Sequence, residues 1–223
     1  SIAQSELDRK RFVYSDIGFI LLQQVVEAVT GKTLDAYLVS EFYRPMGLEH
    51  TLFQPLNRYK KADIMPTAAN DYLRRQDLCG YVHDEAAAFM GGVSGNAGLF
   101  STAQELGKIY QMILNEGELD GKRYLRPETC RIFTTEKSVV SHRGLGYDKP
   151  NLKDLKNSPC AASATVAVYG HTGFTGTCAW VDPEHGTVYV FLSNRLCPNV
   201  WNTKLGEMNI RTDIQEVIYK SLK

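Results

Sequence analysis

YGHTGFTGTCAWVDPEHGTVYVFLSN, residues 169–194, is the stretch whose reading decides the fold. Two runs rich in β-branched and aromatic residues, 176–182 and 187–193, flank Asp182-Pro-Glu-His-Gly186. That turn chemistry predicts an antiparallel hairpin. A third strand is expected over 164–171, ending at His171, and the apolar run 188–192 suits a strand covered on both faces. Downstream, Ile214, Val217, Ile218 and Leu222 share one helical stripe, so a helix over 211–222 would pack on the sheet.

Upstream the periodicity is helical. In FVYSDIGFILL, residues 12–22, Ser15 can cap a helix whose apolar positions Ile17, Ile20, Leu21, Val25, Ala28 and Val29 form its buried face, and Gly31 ends it. A second helix over 33–43 stops before Pro45, and 49–88 reads as a long excursion with little regular structure. FMGGVSGNAGLFS, 89–101, must be a loop whose backbone takes positive φ or approaches something closely. Ser101 with Gln104 makes a capping box for a helix to about 115, LDGKRYL (119–125) turns, and Pro127 opens a short helix to 133. The layout is α+β in one domain: a mostly helical region over about 1–143, then antiparallel strands and a closing helix over about 144–223.

Composition narrows the function. With 43% hydrophobic residues the chain can bury a substantial core. Twenty-five basic residues balance 25 acidic ones, so no net field draws nucleic acid. The longest apolar runs are too short to span a bilayer. The chain begins at Ser1, so the lack of a leader at its start decides nothing about targeting. Five cysteines without C-x-x-C spacing read as buried thiols, neither a disulfide framework nor a zinc knuckle. The five histidines are dispersed, so no metal is expected, and GGVSGNAG lacks the lysine of a phosphate loop, so no nucleotide cofactor is expected. Around Ser94 the order G-V-S-G-N departs from a nucleophile elbow.

Two short motifs remain: YSD (14–16) ahead of a helix and HTGFTGT (171–177) between two strands, with GGVSGNAGLFSTAQEL between them in order. Together they resemble the serine β-lactamase and DD-peptidase superfamily, in the branch of class C β-lactamases, D-alanyl-D-alanine carboxypeptidases and related esterases. Its three motifs are S-x-x-K, Y-x-N and K-T-G or H-T-G. YSDIGFILLQQVVEAVTGKTLDAYL and YRPMGLEHT are similar to the second-motif region, and YGHTGFTGTCAWVDPEHGTVYVFLSN to the third with its hairpin. The resemblance covers nearly the whole chain. It implies a β-lactamase/transpeptidase-like fold, a small acyl or peptidoglycan-like substrate, no cofactor, and a periplasmic or cell-envelope setting.

The resemblance also implies roles. Tyr14 would be general base and proton shuttle, and Asp16, where most relatives carry Asn, would orient the lysine of the first motif. A carboxylate there should hold that lysine charged. His171 would donate to a substrate carboxylate or to Tyr14, Thr172 would add a hydroxyl, and Gly173 would let substrate approach the strand. The N–H of Phe174 would form half of an oxyanion hole. His171 in place of lysine leans toward the peptidase and esterase relatives.

The nucleophile itself is absent: no serine is followed three places later by lysine. TTEK (134–137) has threonine at that spacing but lies after YSD, the reverse of the motif order. The expectation is therefore a C-terminal portion of a longer domain, with the N-terminal part of the fold missing. Its uncovered sheet edge and core face would make it self-associate or retain an N-terminal piece. A second functional class stays open beside the hydrolase: a non-catalytic ligand-binding or accessory domain of a larger cell-envelope protein. Similar domains also occur fused to family 3 glycoside hydrolases.

Overall fold

The computed structural model describes residues 12–222. Helix α1 (Ile17–Thr30) starts one residue beyond the position that Ser15 would cap. Asp16 holds the cap position without using its side chain, while Ser15 Oγ accepts the Ile17 N–H at 3.3 Å. Gly31 closes the helix at φ 67°, its N–H bonded to the Glu27 carbonyl. The apolar stripe of α1 is not the buried face: Ile17, Leu21 and Val25 are exposed and Val29 is 80% exposed, whereas Gln23 is buried. The docking explains this. Gln23 Oε1 accepts the Gly95 N–H at 2.9 Å and its Nε2 donates to the Val93 carbonyl at 3.4 Å, so the helix turns a polar flank to the glycine-rich loop. The approach is close enough that a Cβ on Gly95 would sit 2.2 Å from the Phe19 carbonyl oxygen.

The second helix forms as α2 (Leu34–Leu38), running into a π-helical turn over Val39–Tyr43. Tyr43, Met46 and Leu48 from this segment build one core cluster with Met112 and Leu119. The 49–88 excursion contains more order than its sequence suggests. Strands β1 (Pro66–Asp71) and β2 (Gln76–Cys79) pair antiparallel with irregular register, and α3 (Glu85–Phe89) follows, its Ala87 N–H capped by Asp84. Ala68 and Leu78 are buried against Leu196, and the Ala69 N–H bonds the Leu196 carbonyl, so a distant partner fixes this hairpin.

Helix α4 (Ala103–Leu114) is capped one residue later than the Ser101–Gln104 frame: Thr102 Oγ1 accepts the Glu105 N–H at 3.3 Å. The Glu105 carboxylate, instead of reaching back, accepts from the Glu49 and His50 N–H groups and the Thr51 hydroxyl. Burial alone would raise its pKa, but these bonds outweigh it and hold the carboxyl below the usual range. Strands β3 (Glu118–Leu119) and β4 (Lys122–Arg123) flank Asp120-Gly121, both at positive φ, and α5 (Pro127–Thr135) opens on its proline.

The main sheet is β5 (Tyr169–Thr172), β6 (Cys178–Asp182) and β7 (Thr187–Phe191), antiparallel in that order. Strand β5 starts later than 164 because the chain still turns there, with the Val168 N–H on the Thr165 carbonyl. Every residue of central β6 is buried, but β7 at the edge is half-buried throughout, so the 188–192 run is not covered on both faces. Helix α4 packs against β6 and β7. After α6 (Lys204–Glu207), α7 (Ile210–Ser221) meets the sheet through Tyr219, which joins Val168, Cys178 and Trp180 in a second core. Again the expected stripe faces outward: Ile214, Val217 and Leu222 are exposed. The inner side carries polar tips that satisfy buried groups, Gln215 accepting the Ala161 N–H and Tyr219 donating to Asp182. Four of the five cysteines are buried free thiols, and among the described residues no helix is long and apolar enough to cross a membrane.

Candidate active site

His171 lies in β5 opposite Ala179, and the chain then turns tightly before β6. The Gly173 N–H bonds the Thr177 carbonyl at 2.7 Å, and the Gly176 N–H bonds the Gly173 carbonyl at 3.1 Å. A Cβ on Gly173 would meet Thr177 Oγ1 at 2.2 Å, so a side chain here would have to turn the Thr177 hydroxyl aside. Two arginines hold the outer carbonyls. Arg211 Nη1 donates to Thr177 at 2.9 Å and to Gly173 at 3.3 Å, while Arg195 Nε donates to Phe174 at 2.7 Å. The Phe174 ring is exposed, with the His83 ring stacked at 5.3 Å and the Arg195 guanidinium at 4.3 Å. Among the described residues the Phe174 N–H and the Thr172 hydroxyl make no hydrogen bond.

A second tight turn, Arg143-Gly-Leu-Gly-Tyr-Asp148, brings a cation to His171. Arg143 and Asp148 face each other across it, with the Gly144 N–H on the Tyr147 carbonyl. Asp148 is hooked onto β5: its N–H bonds the Gly170 carbonyl at 2.7 Å and its carbonyl accepts the Gly170 N–H at 3.2 Å. The Arg143 Nε sits 2.7 Å from buried Asp148 Oδ1, an ion pair by distance in which neither atom has an aligned hydrogen bond. Arg143 Nη1 lies 2.6 Å from His171 Nε2, and the guanidinium carbon lies 5.0 Å from the Tyr14 ring centre and 5.4 Å from that of Phe12. His171 Nδ1 is 2.6 Å from the Thr172 carbonyl.

Tyr14 and His171, remote in sequence, thus meet at one guanidinium. Burial raises the Tyr14 pKa first, Asp16 raises it further, and Arg143 opposes both, so the phenol is protonated at neutral pH. The Asp16 side chain is half-buried and makes no cap bond, acting on Tyr14 through its charge alone. Ser94 is buried and donates to Asn96 Oδ1 at 2.6 Å, and Asn96 donates in turn to Asp84 at 3.1 Å, which suits a structural serine. The residues that sequence reasoning missed are Arg143, Asp148, His83 and Arg195. One signal was available for the first two: opposite charges bracketing a Gly-Leu-Gly-Tyr turn are set side by side by its geometry.

Comparison with known proteins places this geometry. The family model described as Beta-lactamase matches residues 2–204. A candidate D-alanyl-D-alanine carboxypeptidase of Escherichia coli strain K12 is 38% identical over 197 residues, covering 83% of this chain and 45% of that protein. An N-acetylmuramyl-L-alanine amidase of Bacillus subtilis strain 168 is 35% identical over 197 residues, with the same 83% and 45% coverage. The chain therefore spans about half the length of the curated relatives it matches. Among solved structures, a β-lactamase from Mycobacterium bovis superposes with a TM-score of 0.62 at 18% identity, over 96% of this chain and 65% of that one. A simvastatin synthase variant from Aspergillus terreus gives 0.63 at 19% identity, over 95% and 55%. At such identities these two structures speak for the fold.

Proposed function

Because the chain belongs to the beta-lactamase family, we propose that it carries one wall of an acyl-hydrolase cleft, completed by a serine nucleophile outside these 223 residues. The observation that carries this reading is the convergence of Tyr14 and His171 on Arg143, with an unpaired Phe174 N–H three residues after His171. In the proposed reaction the serine attacks a carbonyl, is acylated, and is released by water. Tyr14, a phenol at rest, gives its own proton to the leaving group as it takes the serine's, so its proton count is unchanged over the step, and the Arg143 cation steadies the phenolate character that develops between the two transfers. The Phe174 N–H, pinned in place because both neighbouring carbonyls are held by arginines, receives the developing oxyanion. The unpaired Thr172 hydroxyl is free to meet a substrate carboxylate.

The substrate class is a peptidoglycan-like peptide or small acyl compound, and the setting is the cell envelope. Both follow from the names of the relatives, one a candidate D-alanyl-D-alanine carboxypeptidase and one an N-acetylmuramyl-L-alanine amidase. The outward apolar stripes of α1 and α7 fit the same picture: Val25 and Val29, with Val217, would be covered by the rest of the domain. A fluorophosphonate probe applied to the longer natural protein should label a serine outside this chain, and the 223-residue chain alone should stay unlabelled. Labelling at Ser94 or Ser101 would overturn the assignment. A longer protein with no labelled serine that still binds peptidoglycan fragments would favour the accessory-domain reading.

A further inference from the structure

We propose that Arg143 is the positioning residue of this cleft: its guanidinium selects one tautomer of His171 and fixes the ring of Tyr14 beside it. The inference rests on reading the cleft as an acyl-transfer site, but its test does not depend on hydrolysis being found. A guanidinium only donates, so the 2.6 Å contact of Arg143 Nη1 makes His171 Nε2 the acceptor. The ring proton then sits on Nδ1, where the Thr172 carbonyl receives it at 2.6 Å. Both ring nitrogens are consumed. The donation to substrate or to Tyr14 that the resemblance implies for His171 therefore falls instead to the remaining N–H groups of Arg143.

The Arg143 head is placed by groups that the backbone holds. Strand β5 holds the Asp148 backbone through two bonds to Gly170, one residue before His171. Asp148, 2% exposed, holds the Arg143 Nε at 2.7 Å by charge, and the guanidinium reaches His171 Nε2 through Nη1 and stands over the Tyr14 ring. His142 Nε2, 3.4 Å from Asp148 Oδ1, closes the cluster. A lysine could supply charge here but not a planar fork that faces Asp148 and His171 at once. The charged groups acting on Tyr14 are Asp16, Asp148 and Asp84, which favour its phenol, and Arg143, which alone opposes them. Removing Arg143 should therefore move the Tyr14 titration upward.

The test uses the ¹⁵N-labelled 223-residue chain, with long-range proton–nitrogen imidazole correlations at neutral pH and His171 assigned by His171→Gln. The wild-type ring should carry its proton on Nδ1 with Nε2 bare. In Arg143→Met the ring should become a mixture of tautomers, and the alkaline titration of Tyr14, isolated by difference against Tyr14→Phe, should shift up. Arg143→Lys, which keeps the charge, should hold the Tyr14 midpoint below that of Arg143→Met. A wild-type His171 protonated on Nε2 overturns the proposal without any variant. So does an Arg143→Met protein in which the His171 nitrogens and the Tyr14 midpoint both stay put.

Discussion

Replacing Tyr219 by phenylalanine removes one hydroxyl from a buried network, and the expected loss of stability is about 1.5–3 kcal/mol. The acceptor sets the size of the loss. Tyr219 Oη donates to Asp182 Oδ2 at 2.7 Å, and the two residues are 4% and 2% exposed. The same carboxylate accepts from the Thr165 hydroxyl at 2.9 Å and the Glu184 N–H at 3.0 Å. Burial alone would raise the Asp182 pKa, but these bonds, with Tyr219 foremost, hold the carboxyl below its usual range. Bonds to a charged acceptor are at the strong end of the scale. Asp182→Ala should cost more, about 3–5 kcal/mol, because it also strands the Tyr219 hydroxyl away from water. The double variant should then fall short of the summed single losses by about 1.5–3 kcal/mol, the size of their coupling. In a domain of this size each kcal/mol moves Tm by about 2–4 °C, so Tyr219→Phe alone should lower it by about 3–12 °C. The folded-state pKa of Asp182 is depressed, so its stabilisation is present above the unfolded value of 3.8 and is lost as pH falls through the folded one. Urea unfolding of the four proteins at neutral pH and in acid measures this directly. A neutral-pH coupling under about 0.5 kcal/mol, or one unchanged in acid, would refute the reasoning. The consequence reaches the cleft, since α7 carries the Arg211 that holds the Gly173 and Thr177 carbonyls.

Other parts of the molecule give further expectations. Gly95→Ala should cost about 1–3 kcal/mol, because the new methyl meets the backbone oxygen of Phe19, which can yield only by moving α1; an unfolding midpoint equal to wild type would show that loop and helix do not touch. Glu105→Gln keeps one acceptor oxygen where the loop uses both, so about 1–3 kcal/mol should be lost in denaturant titration. The native Glu105 contribution should itself fade as pH drops below 4.5, since its folded pKa is depressed. Burial pushes the Tyr43 phenol up to about 12, so its share of stability is full below 10.0 and is lost as pH rises toward the folded value. Ultraviolet titration that finds every tyrosine ionising near 10 in the folded protein would contradict that placement of Tyr43.

The parts of the fold legible in the sequence were those set by local chemistry. Gly31 in a left-handed cap, the Asp182–Gly186 turn with its Asx-type bond donated by the Glu184 N–H to Asp182 Oδ1, and Pro127 at a helix start all fall where residue type demands. Helical stripes misled because α1 and α7 dock through Gln23, Gln215 and Tyr219, whose polar ends satisfy buried backbone and carboxylate groups. Periodicity of apolar residues carries no information about such contacts. The β1–β2 hairpin was hidden for a different reason: PTAAND and QDLC lack the alternation of a strand, and Leu196 from far along the chain fixes them. In the cleft, YSD and HTGF stood out by their resemblance to family motifs, while Arg143 gains its place only when the backbone of Asp148 joins β5.

The central proposal, that Tyr14 is the proton relay of an acyl-hydrolase cleft, is tested most directly by single-turnover acylation of a protein that joins this chain to the proposed nucleophile segment. The substrate would be a peptide ending in D-alanyl-D-alanine, with wild type compared with Tyr14→Phe. Loss of a positioned proton-transfer group should slow acylation by about 10²–10⁴-fold while binding of the peptide stays within a few-fold. An unchanged acylation rate in Tyr14→Phe would contradict the account.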